Sequence, residues 1–312
     1  MSKKVWIDCD PGIDDTIALM YALNNPDLEV LGISITGGNV NANKGCENAL
    51  ALLKFLGIDV RVYIGEDRAT FYATDTHGNN GLGNYPITRS EQIRFSNAAL
   101  NLQEALRKYP NEVTVIALGP LSTLNIVFTD SYVDLVKEVV IMGGCYRSPG
   151  NCSPMVEFNF CTDSFSANRL FEKFSNCNKL KVVPLDITRK FVLTYKKLCE
   201  LKLEAPKLGN FIEGITKYYF DFHKMQEGID GCVINDVVAV YLASHNGFSI
   251  DSYVQVLSNE CDIVDGIMVV DENNFYRHLP NAKIYLDCKI DDIWKDLFKA
   301  LKTCENNLCN NE

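Results

Sequence analysis

The chain has 312 residues, 47% of them hydrophobic, and a formal net charge of −10. That apolar content supports a sizeable core in one large or two ordinary domains, and no stretch approaches the roughly 18 uninterrupted apolar residues of a membrane span. An acidic balance of this size disfavours nucleic acid and anionic membranes as partners; it suits a neutral small molecule or a cation.

The N-terminus "MSKK" leads straight into the strand-like run Val5–Ile7, with no room for a signal peptide, so a cytoplasmic location is expected. The segment "DCDPGIDD" then places four aspartates, Asp8, Asp10, Asp14 and Asp15, within eight positions. Carboxylates this close repel one another. Asp14 or Asp15 could serve only as favourable charge at a helix N-terminus, but that does not explain the density. A hard divalent cation does, because Ca²⁺ takes six to eight oxygen ligands and turns the repulsion into attraction. This is not an EF-hand loop: glycine falls at position 5 (Gly12), position 12 is Leu19, and a strand precedes.

Further apolar runs at Val30–Ile35, Val60–Ile64, Val113–Leu118, Val139–Met142 and Leu180–Val183 are rich in Val and Ile, as buried parallel strands are. Between them Cys46, Ala49, Leu50 and Leu53 follow helical spacing up to Gly57, and Ala98, Leu102, Ala105 and Tyr109 do so up to Pro110. This βαβ rhythm predicts an α/β fold with an open, mainly parallel Rossmann-like sheet and helices on both faces.

The densest basic cluster, "RKFVLTYKK" from Arg189 to Lys197, reads as the solvated face of a helix. Residues 207–226 form a long amphipathic helix with Leu208, Phe211, Ile215, Tyr219 and Phe222 down one side, and another helix starts at Asp236. Short strands at Tyr253–Leu257, Met268–Val270 and Ile284–Leu286 precede a helix from Asp291 to Leu301. The tail from about residue 303 reads as frayed. No linker or repeat divides the chain, so residues 1–312 are read as one domain. The 12 cysteines are scattered without a CxxC pair and read as reduced thiols, although Cys145, Cys152 or Cys161 could line a pocket.

Polar and glycine-rich segments follow the strands: the aspartates, "TGGN" ending at Asn39, "GPLST", and "GGCYRSPGN". Ligands of open α/β sheets bind at the carboxyl ends of the strands, which places the site there.

In these motifs the chain resembles the inosine–uridine-preferring nucleoside hydrolase family. "DCDPGIDD" is similar to that family's DxDxGxDD, and "HGNNGLG" from His77, "ALGPLST" from Ala117, "MGG" from Met142 and "GNCSPMVEFN" from Gly150 follow in the family's order. The resemblance implies hydrolysis of the N-glycosidic bond of ribonucleosides in purine and pyrimidine salvage, by a homodimer or homotetramer. It implies Ca²⁺ bound by Asp10, Asp15, the backbone carbonyl of Ser122 and Asp236, with Asp10 also taking a proton from water on the metal. Asp14, Asn39 and Asn159 would grip the ribose hydroxyls, with Asn39 also taking part in catalysis, and His77, Asn235 and Asp236 would also lie against the substrate. Asn151 and Glu157 would hold the 5′-hydroxyl end and Met142 would lie against the sugar. Asp8 would support the loop.

Two departures stand out. Asn235-Asp236 replaces the family's His-Asp, and Ser122-Thr123 replaces Thr-Asn. Asn235 reads most simply as an N-cap. The leaving base then needs another proton donor. Tyr219 and His223, one turn apart, are candidates, with His77 as a possible third member of a relay; simple core packing of the first two is an equal alternative. Glu157 and Asn159 alternate with apolar residues, which alone would equally suit an exposed strand face. Two other functions compete: a nucleoside-binding protein with weakened hydrolysis, and a haloacid dehalogenase-type phosphatase with Asp8 as nucleophile. The latter does not call for Asp14 and Asp15 and has no place for Gly12.

Overall fold

The fold was taken from a computed structural model, which describes residues 2–88, 94–259 and 263–310. The first half follows the expected rhythm: β1 (Lys3–Cys9), α1 (Ile13–Leu23), β2 (Leu28–Ile35), α2 (Ala42–Leu56), β3 (Val62–Ile64), α3 (Thr74–His77), α4 (Ala98–Lys108), β4 (Thr114–Ala117), α5 (Ser122–Val127), α6 (Asp130–Leu135) and β5 (Glu138–Met142). Then come α7 (Phe158–Thr162), α8 (Ser164–Lys173), β6 (Leu180–Val183), α9 (Leu185–Thr188), β7 (Val192–Leu193), α10 (Tyr195–Glu204), α11 (Pro206–Gln226), β8 (Cys232–Val233) and α12 (Asn235–Ser244). The chain closes with β9 (Phe248–Val256), β10 (Met268–Asp271), β11 (Ala282–Asp287) and α13 (Ile290–Asn310).

Nine strands form one sheet in the order β10-β9-β11-β6-β5-β4-β1-β2-β3. All pairings from β3 across to β11 are parallel; β9 runs antiparallel to both β11 and β10. Side chains alternate across β1: Val5, Ile7 and Cys9 join one apolar cluster with α1, α2, α11, α12 and α13, while Trp6 joins a second with α4, α5, α6 and α8. Helices therefore cover both faces of the sheet, and its strands are apolar on both sides for that reason.

The strand order reverses at β1. The chain goes from β1 outward to β2 and β3, then returns to β4 on the other flank and continues to β5 and β6. The crevice at that switch point, outside the carboxyl ends of β1 and β4, is where such sheets hold ligands. Several local stops match their residues. Gly57 ends α2 in the left-handed conformation at φ 65°, and Asn41 caps its start, accepting the Lys44 N–H at 2.9 Å.

Two expectations are corrected. The segment 303–310 is not frayed: α13 continues to Asn310, Cys304 and Glu305 are buried, and Glu305 accepts the N–H groups of Lys207 and Leu208 at 2.9 and 3.0 Å. Glu305 thus satisfies orphan donors in the first turn of α11, which a solvated tail could not do. Asn311 and Glu312 lie outside the described residues. The basic stretch from Arg189 is not one helical face either. It leaves α9, passes through buried Phe191 and the strand β7, and enters α10 at Tyr195. Among the described residues no helix is long and apolar enough to cross a membrane.

Candidate active site

The loop after β1 turns into α1 with its carboxylates inward. Asp8, Asp10, Asp14 and Asp15 are all buried. Asp15 reaches back to accept the N–H groups of Gly12 at 2.9 Å and Asp10 at 3.2 Å, stitching the loop to the first turn of α1. Asn39 adds its side-chain N–H to Asp15 at 2.9 Å, while its backbone N–H donates to Asp10 Oδ2 at 2.6 Å. The Asp10 carboxylate is wedged between Gly38 and Gly119, where a Cβ on either glycine would strike it. Asp8 is held inside the sheet as the acceptor for the Ser34 hydroxyl, which in turn accepts the Trp6 indole N–H. It does not face the cavity, so the phosphatase reading, which needs Asp8 as nucleophile, loses its basis.

A cavity of about 430 Å³ opens above these loops. Asp14, Asn39, His77, Met142, Asn151, Glu157, Asn159, Tyr219, His223, Asn235 and Asp236 all line it. Asp10, Asp15 and Ser122 are buried and do not line it. Ser122 begins α5, with its hydroxyl donating to Asp163 at 2.6 Å.

Among the described residues Asp14, Asp15 and Asp236 form a group of potential metal ligands, with one carboxylate oxygen of each within 4.8 Å of those of the others. Asp10 joins this group through its N–H to Asp15. Asp10 Oδ1 and Asp236 Oδ2 are buried without a hydrogen-bond partner, a costly condition for a carboxylate oxygen. Burial, and then mutual repulsion, pushes Asp10 and Asp236 well above the ordinary carboxylate range. Burial first of all pushes Asp14 and Asp15 up to about 6. An all-oxygen donor set with orphaned acceptors fits a hard divalent cation.

Glu157 N-caps α7, accepting the N–H groups of Asn159 at 2.9 Å and Phe160 at 3.3 Å, and also that of Gly144 at 3.0 Å. Both Glu157 and Asn159 are buried, which removes the exposed-strand reading of "VEFNF". Burial pushes the Glu157 carboxyl up to about 7. Asn159 donates its amide to the carbonyls of Leu118 at 2.6 Å and Met142 at 3.1 Å, leaving its Oδ1 as an acceptor.

Asn235 is not an N-cap. Ile234 holds that place, while the Asn235 side chain accepts the Thr188 hydroxyl at 2.8 Å and donates to Asp14 Oδ2 at 3.3 Å. The amide is drawn inward because Asp14 and Thr188 converge on it from distant segments, Asp14 lying 221 residues away in sequence.

His77, Tyr219 and His223 form a row of ring contacts along the cavity. The His77 and Tyr219 ring centroids lie 5.1 Å apart, and those of Tyr219 and His223 4.3 Å apart, edge to face. His77 Nδ1 accepts the Ile13 N–H at 3.0 Å, and burial pushes its pKa down to about 4. It is therefore neutral near pH 7, with its one proton on Nε2. His223 Nδ1 lies 3.0 Å from the Tyr219 carbonyl, so Nδ1 carries hydrogen and donates, which leaves Nε2 for other partners. Burial lowers the His223 pKa from its usual 6.5. Both pocket and core readings of Tyr219 apply: it lines the cavity and belongs to the larger apolar cluster.

Several pocket residues escape the sequence reading, among them Phe222, Arg189, Gln226 and Glu227. Phe222 was counted only as helix packing. Arg189 lay inside a charge run whose bland reading as a solvated face was the simplest.

The sequence profile described as inosine-uridine preferring nucleoside hydrolase matches residues 5–295. The chain is 34% identical to uridine nucleosidase 1 of Arabidopsis thaliana over 246 residues, which is 76% of this chain and 72% of that one. It is 28% identical to the non-specific ribonucleoside hydrolase RihC of Escherichia coli over 93% of this chain and 95% of that one. Among solved structures, the purine-preferring ribonucleoside hydrolase of Gardnerella vaginalis superposes with a TM-score of 0.89 at 25% identity, covering 98% of this chain and all of the other. The plant nucleoside hydrolase PpNRh1 superposes at 0.88 with 28% identity, covering 97% and 99%.

Proposed function

This chain belongs to the inosine–uridine preferring nucleoside hydrolase family and is a nucleoside hydrolase, and from that premise we propose that it releases the base from ribonucleosides with Ca²⁺ as cofactor, serving nucleoside salvage. The observation that carries this reading is the convergence of buried Asp15 with Asp14 and Asp236, which line a cavity that His223 also lines. Asp10, Asp15 and Asp236 would hold the cation, with Asp14 beside them. When bound, the cation lowers the pKa of water and offsets the repulsion among the carboxylates.

The residues divide the remaining work. Asp10 Oδ1 has no partner and takes a proton from water as the water oxygen bonds to the anomeric carbon. The carbon–nitrogen bond breaks and its electron pair leaves with the base. Cation character developing on the ribose ring is stabilised by the clustered carboxylates. Asp14, the Asn39 amide and Asn159 Oδ1 bind ribose hydroxyls. The imidazolium form of His223, which carries hydrogen on both ring nitrogens and is the minor form near pH 7 because burial lowers its pKa, supplies its Nε2 proton to the departing base, in place of the histidine that Asn235 replaces. His77 cannot be that acid, because its Nδ1 is occupied by the Ile13 N–H; it offers a fixed Nε2–H donor. Uridine and inosine, incubated with and without Ca²⁺, test the whole reading by free base and ribose. Binding without release would favour a nucleoside-binding protein.

His223→Ala is expected to lower kcat on uridine by about 10²–10⁴-fold, the usual range for general acid assistance. It should spare p-nitrophenyl riboside, whose leaving group needs no proton. Equal losses on both substrates would assign His223 a structural role.

Metal binding should also be visible in stability. Asp14 and Asp15 are raised from 3.8 to about 6 in the folded protein. Raised folded values mean that, without a cation, their contribution to stability is present below about pH 4 and lost as pH rises through about 6. A cation binds the ionised forms and competes with protons. The Ca²⁺-induced rise in Tm should therefore be small near about pH 5 and larger near about pH 7.5. A Ca²⁺ effect independent of pH over that window would remove these carboxylates as the site.

A further inference from the structure

Between Met142 and Glu157 the chain makes an irregular excursion carrying Asn151 to the cavity. No strand or long helix holds residues 146–151, so their backbone groups must be satisfied otherwise. The short helix α9 and its C-cap do this with two side chains of opposite charge, Asp186 and Arg189, three residues apart and thus on one side of the turn.

Asp186 collects the donors. Its carboxylate accepts the backbone N–H groups of Tyr146 at 2.8 Å, Arg147 at 2.7 Å and Ser148 at 3.1 Å. Arg189 collects the acceptors. Its guanidinium donates to the Ser148 hydroxyl at 2.7 Å and to the carbonyls of Pro149 at 2.5 Å and Gly150 at 3.0 Å. The next residue, Asn151, accepts the Phe158 N–H through Oδ1 at 2.9 Å, leaving its amide N–H groups for the cavity. Gly150 sits where a Cβ would collide with the Ser153 and Val156 backbones, so the turn tolerates little displacement. Arg189 also lies 3.5 Å from Glu227 at the end of α11, four residues beyond His223. One guanidinium thus ties the Asn151 wall of the cavity to the His223 wall.

We infer that Asp186 and Arg189 are positioning residues that template the 146–151 segment and so set recognition of the 5′-hydroxyl end of the substrate through Asn151. The inference rests on the ribonucleoside reading above. It also accounts for the start of the basic run that reads from sequence as a solvated helix face. A planar guanidinium suits the task, since its fan of donors meets three acceptors at once; a lysine ammonium keeps the charge without that geometry.

Steady-state kinetics with uridine and 5′-deoxyuridine test it, using wild type, Arg189→Ala, Arg189→Lys and Asp186→Asn. Arg189→Ala should lower kcat/KM on uridine by about 10- to 100-fold, chiefly through KM, because misplacing a binding group by about 1 Å costs this much. The loss on 5′-deoxyuridine should be under about threefold, so the preference for the 5′-hydroxyl collapses. Arg189→Lys should fall between, with the wild-type Tm, and it decides the matter if the alanine variant folds poorly. Equal loss on both substrates, or no loss on either in the folded lysine and asparagine variants, overturns the inference. Those outcomes presuppose an active wild type. Wild type that releases base from neither compound overturns the ribonucleoside reading, and this inference with it.

Discussion

Asp10→Asn is expected to cut turnover of uridine by about 10⁴-fold or more, with the fold intact. The substitution keeps the size of the side chain and an oxygen to accept the Asn39 N–H, so the loop between Gly38 and Gly119 need not move. It removes the proton acceptor at Oδ1, and proton transfer by a placed side chain is typically worth about 10²–10⁴-fold. It also weakens the proposed cation site, which adds to the loss. Because the wild-type carboxylate is buried among three others, the metal-free variant should melt no lower than metal-free wild type. Activity within about tenfold of wild type would exclude Asp10 as the base.

The second large effect is on the sugar. 2′-Deoxyuridine should have a kcat/KM about 10⁴-fold below that of uridine, because a site built to bind a hydroxyl rejects the analogue that lacks it. Asp14, Asn39 and Asn159 are buried at the cavity and already have partners on one side only. Without the hydroxyl their remaining polar atoms would be desolvated and unpaired. Similar values for the two nucleosides would sink the assignment of these residues to the ribose.

The aspartate loop was legible because it is local. Asp14 and Asp15 fall in the first turn of a helix whose start and strand neighbour are written in the same dozen residues. Asn39, Glu157 and Asn159 were legible through motif resemblance, since each sits in a short segment with its own signature. Asn235 was misread as a cap because its partners, Asp14 and Thr188, come from distant segments. The tail was misread because Glu305 has its purpose only against the start of α11. Arg189 was hidden by its charged neighbours: composition cannot tell a solvated guanidinium from one bound to three loop acceptors.

By itself, then, the sequence determined the layered α/β character, the strand-ending position of the site and the carboxylate-rich loop. Hydrophobic period and turn chemistry act between near neighbours, and these features need no more than that. The tertiary structure decided what depends on contacts between remote segments. The strand order with its reversal at β1 brings the loops after β1 and β4 to one crevice. The antiparallel turn of β9 and β10 carries no local signal distinct from a parallel strand. The tautomers of His77 and His223 were decided there too, because Ile13 N–H and the Tyr219 carbonyl choose which ring nitrogen keeps its hydrogen. Burial then sets how readily that ring takes a second proton, and burial is a property of the packed chain alone.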